Sequence, residues 1–179
     1  MLELLMKRRS IRRYQNRPIE PEKIDILMKA ALLSPSSRNL RPWEFILVTD
    51  KEMLEKLSQC KPHGANFLKD APLAVVVLGD PQVCDVWVED TSIASILIQM
   101  TAQSLGLGSC WIQIRKREHD DKRMAEEYIR DLLQIPHGKA VESIIAIGYP
   151  DENRPSHRED ELRKEKVYHG VYGTPYSFS

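Results

Sequence analysis

The sequence lacks the features that mark several large classes of protein. Its 179 residues include only three cysteines, Cys60, Cys84 and Cys110, which are too few and too irregularly spaced for a disulfide framework or a zinc site. This cysteine usage predicts a reducing, cytoplasmic setting. No stretch approaches the roughly 18 uncharged apolar residues of a membrane span, so we expect no membrane association. A chain of this length fits one domain.

The chain has a formal net charge of zero and lacks the common catalytic motifs. Lys plus Arg number 26 and Asp plus Glu number 26, so the totals do not favour a nucleic-acid partner. There is no HExxH, GxSxG, P-loop or GxGxxG motif, and Gly106-x-Gly108 follows a predicted helix rather than a strand. We expect no metal site and a buried, inert thiol at Cys110. The lack of an acid–base or nucleophilic set indicates that a bound cofactor carries any reaction.

Hydrophobic periodicity divides the chain into alternating helices and strands. Helices are predicted over about 2–7, 21–33, 51–60, 86–105 and 121–133, and strands over 43–48, 73–78, 109–114 and 141–147. The leucines of the first helix are expected to face inward. The fourth helix is apolar around most of its circumference, which predicts burial, partly in a subunit interface. Residues 151–166 are predicted to be an exposed charged connection.

The last residues, 166–179, are rich in aromatic side chains. We expect this C-terminal extension to lie against another surface, that of a second subunit, because so short a segment has no core of its own. A frayed terminus is the alternative.

Two stretches have the composition of ligand-binding segments. The first, the basic turn, is Arg8-Arg9-Ser10-Ile11-Arg12-Arg13-Tyr14, whose guanidinium groups and serine hydroxyl are the donors that bind phosphate. A solvated basic surface is the alternative. The second is the loop from Ser34 to Phe45, in which two prolines bracket small polar residues suited to binding a polar ligand. A plain connection between helix and strand is the alternative there.

In their order along the chain, five segments resemble the FMN-dependent nitroreductase family. They are Arg8-Arg9-Ser10-Ile11-Arg12, Pro35-Ser36-Ser37-x-Asn39-x-x-Pro42-Trp43-x-Phe45, Asp70-Ala71-Pro72, Leu105-Gly106-Leu107-Gly108-Ser109-Cys110-Trp111-Ile112 and Ile147-Gly148-Tyr149-Pro150. The resemblance covers nearly the whole chain. It implies a single α+β domain, a sandwich with a mainly antiparallel sheet flanked by helices, built as an intertwined homodimer with FMN at the interface.

The resemblance also implies which residues contact FMN. The phosphate and ribityl contacts match Arg8, Arg9, Ser10 and Arg12, of which Arg12 reaches the N1/C2 edge of the flavin. The loop that arrives from the other subunit matches Pro35, Ser36, Ser37 and Asn39. The ring contacts match Asn66 and the backbone of Trp111, Ile112, Gln113 and Ile114, which runs beside N5. A late basic residue that closes on the phosphate matches Arg163, or Lys164 if the register is shifted by one.

The function implied is hydride transfer from NADH or NADPH, through flavin N5, to a small electron-poor acceptor such as a nitroaromatic, a quinone or an activated alkene. No catalytic side chain is needed. Many relatives have a glycine near Gln113, so the longer side chain is expected to change how open the flavin face is. The chain is also short for the family, so acceptor preference is left open. Three alternatives remain: an FMN-binding sensor or carrier without turnover, a specialised flavin reaction of the same family, and a phosphate-ligand or nucleic-acid binding module that uses the basic turn.

Overall fold

A four-stranded antiparallel sheet forms the centre of the protein, whose computed structural model describes residues 1–178. The strands are β1 (Trp43–Val48), β2 (Leu73–Gly79), β3 (Gly108–Gln113) and β4 (Ala140–Gly148), in the spatial order β1-β2-β4-β3. Every residue of β2 is buried, as the aliphatic run predicts for a central strand covered on both faces. The predicted α+β fold with an antiparallel sheet is confirmed.

Helices cover both faces of this sheet. They are α1 (Leu2–Lys7), α2 (Pro21–Leu32), α3 (Lys51–Ser58), α4 (Trp87–Ser104) and α5 (Ala125–Leu133), with short 3-10 turns at Ser37–Asn39, Asn66–Asp70, Glu159–Glu161 and Lys164–Lys166. The core on one face contains residues of α2 and α4, and the core on the other face contains residues of α3 and α5. Successive side chains of β2 and β4 therefore alternate between two hydrophobic cores.

The start of α5 is the clearest difference from the predicted boundaries. The periodic pattern predicts a helix from about residue 121, but the Asp120 carboxylate accepts the amides of Lys122 and Arg123 at 2.8 and 3.0 Å. Such a side-chain turn offers the backbone an alternative to the helix. The helix consequently begins at Ala125.

The prediction that the α1 leucines face inward is wrong for the single chain. No residue of α1 is buried, and Leu2 and Leu5 are 70% and 45% exposed. Helix α4 buries Ala94 and Ile98 but leaves Ile93 and Ile96 more than a third exposed. Both helices therefore present apolar side chains that this chain does not cover.

The C-terminal residues form an exposed local turn. Tyr168 forms a bridge with Pro175, and the rings of Tyr168 and Tyr172 lie 4.6 Å apart. The extension thus makes aromatic contacts within itself, which the sequence did not predict, while Tyr172 remains 89% exposed. The final residue of the predicted extension, Ser179, lies outside the described residues. Within residues 1–178, no helix has the length and apolar character that crossing a membrane requires.

The segment after α1 packs across the ends of β3 and β4. Ser10 pairs with Ser109, and Tyr14 pairs with Pro150. This approach requires glycine in both strands, because a Cβ at Gly108 would lie 2.8 Å from Ile11 and a Cβ at Gly148 would lie 2.8 Å from Tyr14, as well as 2.6 Å from Pro72. The two glycines let the N-terminal segment lie directly on the sheet.

We expect the substitution Gly148→Ala to lower the free energy of unfolding by about 1–3 kcal/mol, since the added methyl group overpacks a site that has no free space. The measurement is guanidinium denaturation at a fixed protein concentration. Gly138→Ala is the matched control, because its Cβ would meet nothing within 4 Å. Equal stability of the two variants would contradict this account of the packing.

Candidate functional site

The basic turn forms a cleft, the basic cleft, with two residues that follow β4, Arg154 and His157. The cleft has a volume of about 310 Å³ and is lined by Arg8, Arg9, Ser10, Arg12, Arg154 and His157. No carboxylate of the described chain is among these lining residues. Four guanidinium groups and one hydroxyl around a space of this kind provide the planar, multiple donors that suit a phosphate group.

Glu152 fixes the geometry of this turn. Its Oε1 atom accepts the amides of Arg12 and Arg13 at 2.6 and 3.1 Å, and its Oε2 atom accepts Nε of Arg154 at 2.7 Å. The Arg12 amide is the largest of the contacts that hold the pKa of the Glu152 carboxyl below its usual range. One ionised carboxylate therefore joins the basic turn to Arg154.

Further bonds join residues 155–157 to the N-terminal region. Arg9 donates to the Pro155 carbonyl, and the His157 amide donates to the Met6 carbonyl at 2.8 Å. Sequence reasoning missed Arg154 and His157 as lining residues. The only signal for them was the dense charge after Pro150, which does not say where the chain returns.

The structure does not bring Arg163 to this cleft. Its Nε atom bonds to Glu165 at 2.6 Å and its side chain is 73% exposed. The substitute Lys164 pairs with Glu159 at 2.9 Å. Within one chain, Arg154 is the late basic residue at the cleft, because residues 151–157 return along the N-terminal segment directly after β4.

The predicted buried thiol at Cys110 is confirmed. The thiol lies beneath the basic turn, where burial raises its pKa although Arg12 and Ser10 act in the opposite direction. Cys110 is therefore held as a neutral thiol that contributes to the floor of the turn.

The polar loop after α2 has an unusual backbone. Arg38, Asn39 and Arg41 have φ angles of 51°, 56° and 51°, in the left-handed region that residues other than glycine seldom adopt. Two hydrogen bonds to side chains help to hold this backbone: Ser36 Oγ accepts the Arg41 amide at 2.9 Å, and the Ser37 amide donates to the Asp90 carboxylate at 2.9 Å.

Asp90 is the anchor of this loop, since it lies on α4 and is only 3% exposed. The four predicted loop residues, Pro35, Ser36, Ser37 and Asn39, thus form a rigid surface. They do not line the basic cleft of their own chain.

The end of β3 is held by side-chain bonds. Trp111 Nε1 donates to the Gln113 side chain at 2.9 Å, and the Gln113 side chain donates to the Arg115 carbonyl at 3.0 Å. The Gln113 carbonyl accepts Lys61 Nζ at 3.0 Å, and the Ile114 amide donates to the Glu142 carbonyl at 3.2 Å. The Gln113 side chain therefore runs along the strand, and the Ile114 amide is bonded to the sheet.

Two of the predicted site segments meet near Arg12. The Arg12 guanidinium lies 5.9 Å from the centre of the Phe67 ring. Asn66, the residue before Phe67, is exposed at the start of the same 3-10 turn. Ile112 is buried in the sheet with 1% exposure. Arg12 therefore lies between the basic cleft and the turn that carries Asn66.

We expect the substitution Glu152→Gln to destabilise the protein at neutral pH by about 1 kcal/mol, because it replaces a charged acceptor by a neutral one. The pKa of Glu152 is lowered on folding, so its contribution is complete above the ordinary glutamate pKa and is lost as pH falls through the lowered value. Thermal unfolding across this acidic range should therefore show a weaker pH dependence for the variant than for the wild type.

Glu165→Gln is the control for that measurement. The pKa of Glu165 is also lowered, by the hydrogen bond from Arg163, but this pair is exposed and therefore contributes little to stability. Equal acid dependence in the two variants would contradict the role given to Glu152.

Comparison with known proteins gives one consistent result. The model of the Nitroreductase family matches residues 5–61 and 58–149. A solved FMN-dependent nitroreductase from Clostridium difficile R20291 is 51% identical, with a TM-score of 0.95 over 96% of this chain and 100% of its own. A Methanothermobacter thermautotrophicus protein provisionally named NADH dehydrogenase/NAD(P)H nitroreductase is 42% identical over 93% of this chain and 87% of its own. The FMN reductase (NADPH) of Bacillus subtilis is 25% identical over 94% of this chain and 72% of its own.

Proposed function

Because the chain belongs to the nitroreductase family, we propose that it is an FMN-dependent oxidoreductase in which NADH or NADPH reduces a small electron-poor acceptor, such as a nitroaromatic, a quinone or an activated alkene. The names of its relatives support a general oxidoreductase role. The observation that carries the proposal is the cleft in which four guanidinium groups and the Ser10 hydroxyl surround a space without a carboxylate.

The residues of this cleft fit the phosphate of FMN. A phosphate monoester carries close to two negative charges at neutral pH, and guanidinium groups bind it through paired hydrogen bonds. We assign this contact to Arg8, Arg9 and Ser10, as the resemblance implies, and add Arg154. Arg154 takes the position for which the sequence suggested Arg163, since Glu152 holds its side chain at the turn.

Arg12 is suited to electrostatic tuning. FMN, when bound, supplies the capacity to accept and donate a hydride, and the protein supplies binding, orientation and charge. Arg12 lines the cleft and lies above Phe67, where its cation stabilises negative charge that develops nearby. At the end of β3, the bonds that fix the Gln113 side chain make residues 111–114 a rigid wall.

We also propose that a second subunit completes the site. The rigid loop of residues 35–39 lies away from the cleft of its own chain, and the exposed apolar residues of α1 and α4 need a cover. A homodimer satisfies both conditions if each chain offers its loop to the cleft of the other. In this arrangement Asp90 orients a binding loop rather than a plain connection.

The test of the proposed activity is an absorbance spectrum of the purified protein, followed by anaerobic addition of NADH and then NADPH. We expect flavin bands that bleach within the mixing time of a manual experiment for at least one donor. A yellow protein that does not bleach would favour the sensor or a specialised flavin reaction instead. A colourless protein that cannot be reconstituted with FMN would overturn the proposal.

Two neighbouring arginines give a matched pair of variants for the same assay. Arg12→Ala should weaken FMN retention and slow its reduction, because the cation near the ring is lost. Arg13→Ala should retain both properties, since Arg13 pairs with Asp151 and does not line the basic cleft. Similar behaviour of the two variants would show that another residue holds the position given to Arg12.

Deletion of residues 166–179 tests the proposed place of the C-terminal extension. The exposed aromatic side chains of this segment should contribute apolar area to the dimer, so the truncated chain should dissociate at higher protein concentration than the full chain. The measurement is light scattering coupled to size exclusion over a dilution series. An unchanged dissociation range would remove the extension from the interface.

A further inference from the structure

A second and larger cleft lies at the edge of the sheet where β1 and β4 end and β2 begins. Its volume is about 640 Å³, within the range typical of small-molecule sites. The walls come from residues 12–19 of the N-terminal segment, from residues at the start of α3, from residues 69–72 before β2, and from Asp151. Arg12 lines both this cleft and the basic cleft, and it is the one residue they share.

The charges around this second cleft are unequal. It is lined by five cations, Arg12, Arg13, Arg17, Lys51 and Lys69, and by two carboxylates, Asp70 and Asp151. Arg13 pairs with Asp151 at 3.7 Å, and Arg17 pairs with Glu20 at 2.8 Å.

The other three cations are the ones that a ligand would meet. Within residues 1–178, no carboxylate lies at salt-bridge distance from Arg12, Lys51 or Lys69. Three cations around a concave space attract an anion, and the neutral net charge of the chain makes this a local property.

Apolar side chains form part of the remaining surface. Pro18, Ile24 and Pro72 lie among the cations and are at least partly exposed, with the buried side chains of Ile19 and Leu54 also lining the cleft. An inorganic anion would not contact these apolar side chains. A ligand that carries both a flat organic ring and a phosphate would contact the apolar side chains and the cations. The Asp70 and Asp151 carboxylates are acceptors for its hydroxyl or amino groups.

We propose that this second cleft binds a nucleoside phosphate. The phosphate would lie toward Lys51 and Lys69, and the base would lie on the apolar surface. Two sources share this chemistry: a free nucleotide that acts as an effector, and the adenosine end of a pyridine-nucleotide donor. Because Arg12 lines both clefts, a ligand in the second cleft changes the affinity of the basic cleft for its own ligand. A ligand in the basic cleft changes the affinity of the second cleft by the same factor. This coupling rests on the proposed FMN site, whereas the nucleotide binding does not.

Isothermal titration of the protein as purified, with ADP, 2′,5′-ADP and inorganic phosphate as probes, tests the binding. We expect at least one nucleotide to bind more tightly than inorganic phosphate. Lys51→Glu should weaken that binding about tenfold or more, because it replaces an attraction by a repulsion at the cleft. Lys56→Glu is the matched control, since it makes the same change on the exposed surface of the same helix, outside the cleft, and should bind as the wild type does.

Several results would overturn the proposal: no nucleotide binding, equal binding by the two lysine variants, or phosphate binding as tight as that of the nucleotides. Lys51→Ser repeats the test if the charge reversal lowers the melting temperature. Steady-state kinetics distinguish the two sources of the nucleotide. If the cleft binds the adenosine end of the donor, 2′,5′-ADP competes with NADH or NADPH. If it binds a free effector, 2′,5′-ADP does not compete. A protein that cannot be reconstituted with FMN but binds ADP, with the binding weakened by Lys51→Glu, would refute the proposed function and leave this inference intact.

Discussion

Close contact between the N-terminal segment and two glycines is the constraint on which both clefts depend. Ile11 lies on Gly108 and Tyr14 lies on Gly148, and the Tyr14 hydroxyl donates to the Ile11 carbonyl at 2.6 Å. These two buried anchors leave the residues between them, Arg12 and Arg13, exposed at the surface. The position of the shared cation Arg12 is thus set by hydrophobic packing on either side of it, together with the Glu152 carboxylate that accepts its amide.

Charge separation within a neutral chain gives the surface its binding character. The basic cleft contains four guanidinium groups without a lining carboxylate, yet Glu152 lies directly behind the turn and accepts two of its amides. The carboxylate thereby stabilises the backbone and pairs with the Arg154 guanidinium at 2.7 Å, whereas within residues 1–178 it forms no salt bridge with Arg8 or Arg9. Because the Glu152 carboxylate accepts backbone amides of the turn, the cleft still attracts anions. The same carboxylate reduces the repulsion among the neighbouring guanidinium groups.

Local patterns predicted the elements, whereas the site depended on contacts between distant residues. The range of β1 and the burial of β2 follow from short aliphatic runs. Residue composition indicated the basic turn and the polar loop, and the family resemblance added the roles of their residues. The start of α5 was missed because the Asp120 turn competes with the helix. The exposure of Leu2 and Leu5 was missed because a helical pattern shows an apolar face without showing which chain covers it. Arg154 was missed for a related reason, since only the path of the chain after β4 places it beside Arg8.

The bonds between Glu152 and the basic turn also have a consequence for biosynthesis. The Arg12 amide and its carboxylate acceptor are 140 residues apart in the sequence, so the contact forms only when nearly the whole chain has been synthesised. Contacts of such long range form late in folding, because the entropy of closing the intervening loop must be overcome first. A chain that ends before Glu152 therefore lacks the carboxylate that holds the Arg12 amide, and a chain that ends before Arg154 lacks one of the four guanidinium groups of the basic cleft.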